Sequence, residues 1–165
     1  AKIFAQVLPQ IFKRCIDSEI PIQVFQQCLP DQNEYLKNFY KHLDINFEIF
    51  NFTDNILSFF SKSNLVITRS GSSMLAELIN AKKPFISIPL PSSADNHQLK
   101  NAIYYEKNKY SFLIEEKNLG KELFPLLEKI NNDISLLDQI KNKQSQYSDK
   151  SVFRNIDKEL EFYFK

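Results

Sequence analysis

The feature of this sequence that most constrains its fold is a change of hydrophobic period within residues 64–79. Residues 64–68 (Asn-Leu-Val-Ile-Thr) form a short apolar run rich in β-branched side chains, which is typical of a buried strand. Apolar residues then recur at helical spacing, from Met74 to Ile79. The five residues between the two patterns are Arg-Ser-Gly-Ser-Ser, at 69–73. The sequence therefore predicts a strand, a tight turn and the start of a helix.

The composition of this turn is typical of a phosphate-binding site. The first N–H groups of a helix and its dipole favour an anion, and glycine and serine let a phosphate approach the backbone closely. Glu77 falls about one and a half turns into the helix, where its carboxylate could accept two hydrogen bonds from a ribose diol. The same residues also fit an ordinary strand-to-helix junction, with a serine as N-cap and Glu77 as a solvated acid. Both interpretations stay open at this point.

The rest of the chain repeats the alternation of strand and helix. The predicted strands are residues 21–26, 45–49, 64–68, 84–89 and 111–114. The predicted helices are residues 1–15, 36–43, a helix containing residues 56–60 after an N-cap at Asp54, the helix after Gly71, residues 95–107, and a helical region from Leu119 to the C-terminus with breaks near residues 131–132 and 148–149.

Such alternation implies parallel βαβ units. We therefore expect one α/β domain built on a Rossmann-like, doubly wound parallel sheet, with a ligand bound at the carboxyl ends of the strands. Three polar loops follow predicted strands, at residues 52–54, 69–73 and 91–98. These loops should converge on one crevice.

Composition excludes several classes of protein. The 165 residues carry a net charge of +1 without a basic stripe, which argues against a nucleic-acid partner. Cys15 and Cys28 lack a metal-binding or redox spacing, so we expect reduced thiols in a cytoplasmic protein. No apolar run reaches the roughly 18 residues of a membrane span, and no signal-peptide pattern opens the chain. Only two glycines are present, so either asparagine and lysine end the helices or a glycine-rich turn lies outside this chain.

Several of these residues also resemble a known family. The pattern comprises residues 68–72 (Thr-Arg-Ser-Gly-Ser) followed by Glu77, then residues 89–91 (Pro-Leu-Pro), 94–98 (Ala-Asp-Asn-His-Gln) and 101–102 (Asn-Ala). In order and spacing it is similar to the donor-binding, C-terminal half of the MurG-type N-acetylglucosaminyltransferases, which are GT-B enzymes of glycosyltransferase family 28. The resemblance extends over about residues 1–153. It implies a GT-B half that lacks its N-terminal acceptor domain, with C-terminal helices from about residue 119.

The resemblance implies a role for each part of the site. The uracil would lie against Phe52 and the backbone of Thr53, the ribose against Glu77, the diphosphate against the first amides of the helix, and the N-acetylglucosamine against His97 and Gln98, with Asn101 in support. The candidate substrate-binding residues are Phe52, Thr53, Arg69, Ser70, Gly71, Ser72, Ser73, Met74, Glu77, Asn96, His97, Gln98 and Asn101.

Some of these positions carry a second interpretation or depart from the family pattern. Arg69 could neutralise phosphate or brace the loop, and His97 could contact the sugar or cap its helix. The family usually has a branched aliphatic residue at Thr53, often Gln at His97, and Gly at Lys82. A left-handed Lys82 would cost on the order of 1 kcal/mol, so a different end of this helix is the alternative.

The function that the resemblance implies is binding of UDP-N-acetylglucosamine in an inverting transferase that converts lipid I to lipid II in peptidoglycan synthesis. The acceptor, a lipid-linked muramoyl pentapeptide, and the catalytic base would belong to the N-terminal half, at the cytoplasmic face of the inner membrane. We therefore assign no catalytic residue, metal or cofactor to this chain. The apolar residues Leu160 and 162–164 could contact a membrane or a partner domain. Two alternatives stay open: another UDP-sugar transferase or hydrolase half, including the catalytic subunit of a split enzyme, or a UDP-sugar-binding module without turnover.

Overall fold

The computed structural model describes residues 2–147, and within this range strands and helices alternate as predicted. The strands are β1 (Val24–Gln27), β2 (Phe47–Phe50), β3 (Val66–Thr68), β4 (Phe85–Ser87) and β5 (Phe112–Leu113). The α-helices are α1 (Lys2–Asp17), α2 (Asn33–His42), α3 (Ile56–Lys62), α4 (Ser72–Asn80), α5 (His97–Lys107), α6 (Leu119–Asn132) and α7 (Ser135–Ser145). Short 3-10 helices lie at Pro30–Gln32, Ala94–Asn96 and Glu116–Asn118. The predicted helix break near residues 148–149 and the apolar residues 160–164 lie outside the described residues.

All strand pairs in the described part of the chain are parallel, in agreement with the predicted α/β class. β1 pairs with β2, and β3, β4 and β5 pair in that order. The strands thus form two groups, of two and of three strands, where the sequence predicts one sheet. Parallel neighbours have their carboxyl ends at the same edge, so the loops after β3 and β4 lie side by side.

The core lies on both faces of the strand β4, whose residues are all buried. Ile86 belongs to a cluster that also contains Leu8 of α1 and Leu123 of α6. Phe85, the preceding residue, belongs to a second cluster with Leu75 and Leu78 of α4. Successive side chains of a strand point to opposite faces, so helices cover both faces of this sheet. That arrangement is the predicted doubly wound packing.

Four helices end in a left-handed residue that is not glycine. These residues are Glu19, Asp44, Lys82 and Lys109, with φ between 51° and 60°. At the end of α4 the Lys82 N–H donates to Ile79 O (3.1 Å) and the Lys83 N–H donates to Leu78 O (2.9 Å), which is the Schellman arrangement. The helix therefore ends in the left-handed form despite its cost, and the low glycine content is partly explained by charged residues at these positions.

Two predicted helix starts are corrected by the structure. The N-cap of α3 is Asn55 rather than Asp54, and its side chain accepts a hydrogen bond from the Ser58 N–H at 3.2 Å. An N-cap side chain reaches an N–H two or three residues further on, and Asp54 lies one residue too early for Ser58. The predicted helix at residues 95–107 begins with a 3-10 turn and a left-handed Asn96 (φ 55°), so α5 itself starts at His97.

Both cysteines are free and buried, as predicted from their spacing. None of the helices in residues 2–147 is long and apolar enough to cross a membrane.

Candidate functional site

The loops that follow β3 and β4 are joined by the side chain of Gln98, in the first turn of α5. Its Oε1 accepts hydrogen bonds from the Ser70 N–H (3.2 Å) and from the Leu90 N–H (3.0 Å). Asn101, one turn further along α5, donates from Nδ2 to Ser70 O at 3.1 Å. Both backbone groups of Ser70 are therefore held by α5. Two of the three predicted loops converge at the carboxyl edge of the sheet.

Ser70 is the fixed point of this arrangement. Its exposed fraction is 0%, and its Oγ has no hydrogen-bond partner among the described residues. A fully buried side chain cannot contact a ligand from solvent. Of the candidate residues, Ser70 thus belongs to the framework that positions the turn.

The N-terminus of α4 presents backbone N–H groups without partners in the helix. Leu75 is the first residue whose N–H bonds back into the turn, to Gly71 O at 3.0 Å. The three preceding amides, of Ser72, Ser73 and Met74, are the unsatisfied donors of a first helical turn. No side chain of residues 2–147 caps them, and Ser72 and Ser73 are exposed. Such a helix end suits an anion.

Gly71 is the N-cap of α4, so the serine N-cap of the ordinary-junction interpretation is wrong. Its φ of −67° and ψ of 136° are accessible to any residue. A Cβ built at this position would meet no atom within 4 Å. Neither backbone conformation nor packing within the described residues therefore requires glycine here. The space beside the unsatisfied amides is open.

Arg69 braces the loop against three other parts of the structure. Its Nη1 donates to Ile88 O and Pro89 O, both at 3.3 Å, and its Nη2 forms an ion pair with Glu116. The guanidinium also lies 5.0 Å from the centre of the Phe4 ring of α1. These contacts favour the bracing interpretation over direct contact with phosphate. Glu116, which lies 47 residues further along the chain, carried no local signal that could have identified it as the partner of Arg69.

Glu77 on α4 and Phe52 on the loop after β2 face solvent. The carboxylate of Glu77 is exposed and makes no hydrogen bond or ion pair with residues 2–147. Phe52 is 77% exposed, which is unusual for a phenylalanine. Thr53 is half-buried, and its Oγ1 accepts a hydrogen bond from the Asn55 N–H at 3.1 Å. Glu77 and Phe52 are thus available to a ligand.

His97 and Asn96 lie at the exposed start of α5. The Nδ1 of His97 is 2.8 Å from Ala94 O, so this ring nitrogen is hydrogen-bonded to the turn before α5. The other ring nitrogen has no partner among the described residues and can bind a ligand group. Asn96 is left-handed and exposed.

Comparison with known proteins gives matches over most of this chain. A family model, described as the glycosyltransferase family 28 C-terminal domain, matches residues 1–160. Two relatives are named UDP-N-acetylglucosamine--N-acetylmuramyl-(pentapeptide) pyrophosphoryl-undecaprenol N-acetylglucosamine transferase. The protein of Pelagibacter ubique is 35% identical over 128 residues, and the protein of Rickettsia prowazekii is 37% identical over 146 residues.

The matched region is only part of each relative. The alignments cover 78% and 87% of this chain but 35% and 36% of the two relatives. The fold is similar to the crystal structure of Acinetobacter baumannii MurG, with a TM-score of 0.78 and 23% identity over 90% of this chain and 42% of that one. The resemblance drawn from the motifs at residues 68–102 is confirmed.

Proposed function

Because this chain belongs to the glycosyltransferase family 28 C-terminal domains, we propose that it is the UDP-N-acetylglucosamine-binding half of an N-acetylglucosaminyltransferase that converts lipid I to lipid II. The observation that carries the proposal is the N-terminus of α4, where three unsatisfied amides face open space beside Gly71. A diphosphate bound there accepts hydrogen bonds from backbone donors and gains from the helix dipole. When the sugar leaves UDP, negative charge develops on this diphosphate, and the same donors stabilise it.

Other exposed residues suit the ribose, the uracil and the sugar of the donor. The carboxylate of Glu77 has no partner among residues 2–147, so it can accept hydrogen bonds from both hydroxyls of a ribose. The exposed ring of Phe52 and the backbone of Thr53 would bind the uracil. The unpaired nitrogen of His97 and the exposed Asn96 would contact the N-acetylglucosamine.

Gln98 and Asn101 each have one half of the amide committed to the loop and one half available. In Gln98 the Oε1 accepts two backbone hydrogen bonds, which fixes the amide and leaves Nε2 as a donor. In Asn101 the Nδ2 is bound to Ser70 O, which leaves Oδ1 as an acceptor. N-acetylglucosamine carries hydroxyl groups, which donate and accept hydrogen bonds, and one acetamido group, so it can use both a donor and an acceptor. The loop contacts thereby orient both side chains before the ligand arrives.

Acceptor and base would come from the larger part of the enzyme. The relatives are nearly three times as long as the matched region, and inversion requires a base close to the acceptor hydroxyl at the anomeric carbon. In this proposal residues 1–165 are one donor-binding domain, and a lipid-linked muramoyl pentapeptide binds to an N-terminal domain. The complete enzyme would act at the cytoplasmic face of the inner membrane.

Calorimetry with the purified chain tests the proposal. UDP and UDP-N-acetylglucosamine should bind, and ADP should bind more weakly because a purine exceeds the space suited to uracil. Equal affinity for UDP and ADP would contradict a uridine site. Equal affinity for UDP-glucose and UDP-N-acetylglucosamine would favour another UDP-sugar enzyme.

In this proposal, sugar transfer requires an N-terminal domain in addition to residues 1–165. With a radiolabelled donor and a lipid-linked acceptor, the isolated chain should give no product above background, and addition of the N-terminal domain should give turnover. Robust turnover by the chain alone would refute the assignment of the base to the other half.

A further inference from the structure

The loop after β2 is held at its first residue, Asn51, by three residues at the end of β1 and the start of α2. Asn51 O accepts a hydrogen bond from Nε2 of Gln27, the last residue of β1, at 2.9 Å. The Asn51 Nδ2 donates to Cys28 O at 3.0 Å. Its Oδ1 accepts from Nδ2 of Asn33, the first residue of α2, at 3.0 Å. Asn51 is therefore bonded through its backbone carbonyl and through both halves of its side-chain amide.

Asn33 and Asn51 form a reciprocal pair of amides. Besides accepting from Asn33, the Asn51 amide donates from Nδ2 to Asn33 Oδ1 at 3.1 Å. The Cys28 thiol donates to the same Oδ1 at 3.2 Å. Because a carbonyl oxygen can only accept, the bond to Cys28 O fixes which end of the Asn51 amide is the donor. Donors and acceptors then match in both directions, so the pair holds the loop in one orientation.

The residue that follows this anchor is Phe52, whose ring is exposed. The ring makes no aromatic contact with residues 2–147, so the backbone of the loop sets its position. The other end of the loop is fixed at Asn55, the N-cap of α3. Helix α3 in turn lies against β2, since the rings of Phe59 and Phe50 stack with their centres 4.3 Å apart. Phe52 thus lies on a short segment that is anchored on both sides.

We propose that Asn33 is a positioning residue for the uracil site. Through Asn51 it fixes the loop in the conformation that presents the Phe52 ring and the backbone of Thr53. The inference rests on the proposed function, in which Phe52 and Thr53 bind the uracil of the donor. A loop that is ordered before the ligand arrives loses less conformational entropy on binding, so the amide pair contributes to affinity without contact between Asn33 and the nucleotide.

The alternative is a purely structural pair that joins α2 to β2. Loss of a structural pair would lower the free energy of unfolding and leave the order of the loop and the affinity for UDP unchanged. Loss of a positioning pair would loosen the loop in the folded protein and weaken binding of UDP. Measurements of loop order and of affinity therefore separate the two roles.

NMR relaxation of the backbone amides and calorimetry with UDP test the inference on the chain of residues 1–165. In the free wild-type protein the order parameters of Phe52 and Thr53 should be about 0.85, the value of rigid backbone, and in Asn33→Ala they should fall towards about 0.6. The dissociation constant for UDP should rise about fivefold or more in this variant. The amides of residues 72–74, at the start of α4, are internal references whose order should not change.

Two further variants complete the test. Asn38→Ala is the matched control, because Asn38 is exposed on the same helix and its side chain has no hydrogen bond with residues 2–147. Both readouts should equal those of wild type in this control. Asn51→Ala removes the pair from the other side and should loosen the same loop. Adding Asn33→Ala to Asn51→Ala should cause no further loss, because the contact between the two residues is already absent.

Unchanged loop order or unchanged affinity for UDP in Asn33→Ala would overturn the inference. Additive losses in the double variant would overturn it as well, since Asn33 would then act without Asn51. If Asn33→Ala does not fold, Asn51→Ala must show the loosened loop and the weaker binding, and its failure to do so counts against the inference. If the wild-type chain did not bind UDP, the proposed function and the uracil role would both fail, whereas the order parameters would still decide whether Asn33 fixes the loop.

Discussion

Substitution of Gly71 by alanine separates the requirements of the fold from those of the ligand. The backbone angles at Gly71 suit alanine, and the added methyl group meets no atom within 4 Å. Loss of glycine reduces the entropy of the unfolded chain, which favours folding by about 0.4 to 1 kcal/mol, while alanine is a poorer N-cap than glycine by a similar amount. The free energy of unfolding should therefore change by less than about 1 kcal/mol.

Binding of UDP should respond much more strongly. The methyl group would occupy space beside the amides of Ser72 and Ser73, and a displaced diphosphate would lose at least one charged hydrogen bond. Such a bond contributes about 1.5 to 3 kcal/mol, so the dissociation constant should rise about tenfold to 150-fold. Calorimetry measures the affinity, and urea unfolding followed by circular dichroism measures the stability.

Gly120→Ala provides the matched control. Gly120, in the first turn of α6, is the other glycine of the chain, and a Cβ there also meets no atom within 4 Å. The change should stabilise the protein by up to about 1 kcal/mol and leave UDP affinity unchanged. Unchanged UDP binding in a folded Gly71→Ala protein would refute the proposed diphosphate-binding site at the N-terminus of α4. Equal loss of affinity in both variants would show that the effect is not local.

Three further predictions concern other residues. Glu77→Ala should weaken UDP binding by about 1.5 to 3 kcal/mol through loss of the ribose contact, whereas substitution of Glu106, which is also exposed and lies at the far end of α5, should not. Unchanged affinity in the Glu77→Ala protein would show that Glu77 is only a solvated acid. Gln98→Ala should lower the free energy of unfolding by about 1 to 3 kcal/mol, because the buried Ser70 N–H loses its acceptor. A denaturation midpoint equal to that of wild type would contradict a stabilising role for this hydrogen bond. Burial raises the pKa of the Cys15 thiol, so the thiolate forms more readily in the unfolded chain than in the folded one. The free energy of unfolding should therefore fall as the pH rises above about 8.5. If a Cys15→Ala protein lost stability equally over that range, another group would be responsible.

Local pattern predicted the secondary structure and the position of the turn. The change of period at residues 64–79 is a property of adjacent side chains, since a strand buries alternate residues and a helix buries every third or fourth. The apolar run at residues 84–89 likewise predicted a buried strand, and the three residues of β4 are all buried. Boundaries were less accurate, because Asn55 and Asp54 are both good caps and only the geometry of α3 selects between them.

The sequence by itself determined the elements and the α/β class, because these depend on short-range periodicity. The motifs at residues 68–102 indicated the family, and the resemblance predicted the residues of a donor site. Tertiary structure alone decided how those residues are used. Arg69 is a brace because Glu116, 47 residues away, lies beside it, and Ser70 is buried because Gln98 and Asn101 close over its backbone. The division of the strands into the groups β1–β2 and β3–β5 also cannot be read from the sequence, since strand pairing is set by which distant segments meet and not by the pattern within either strand.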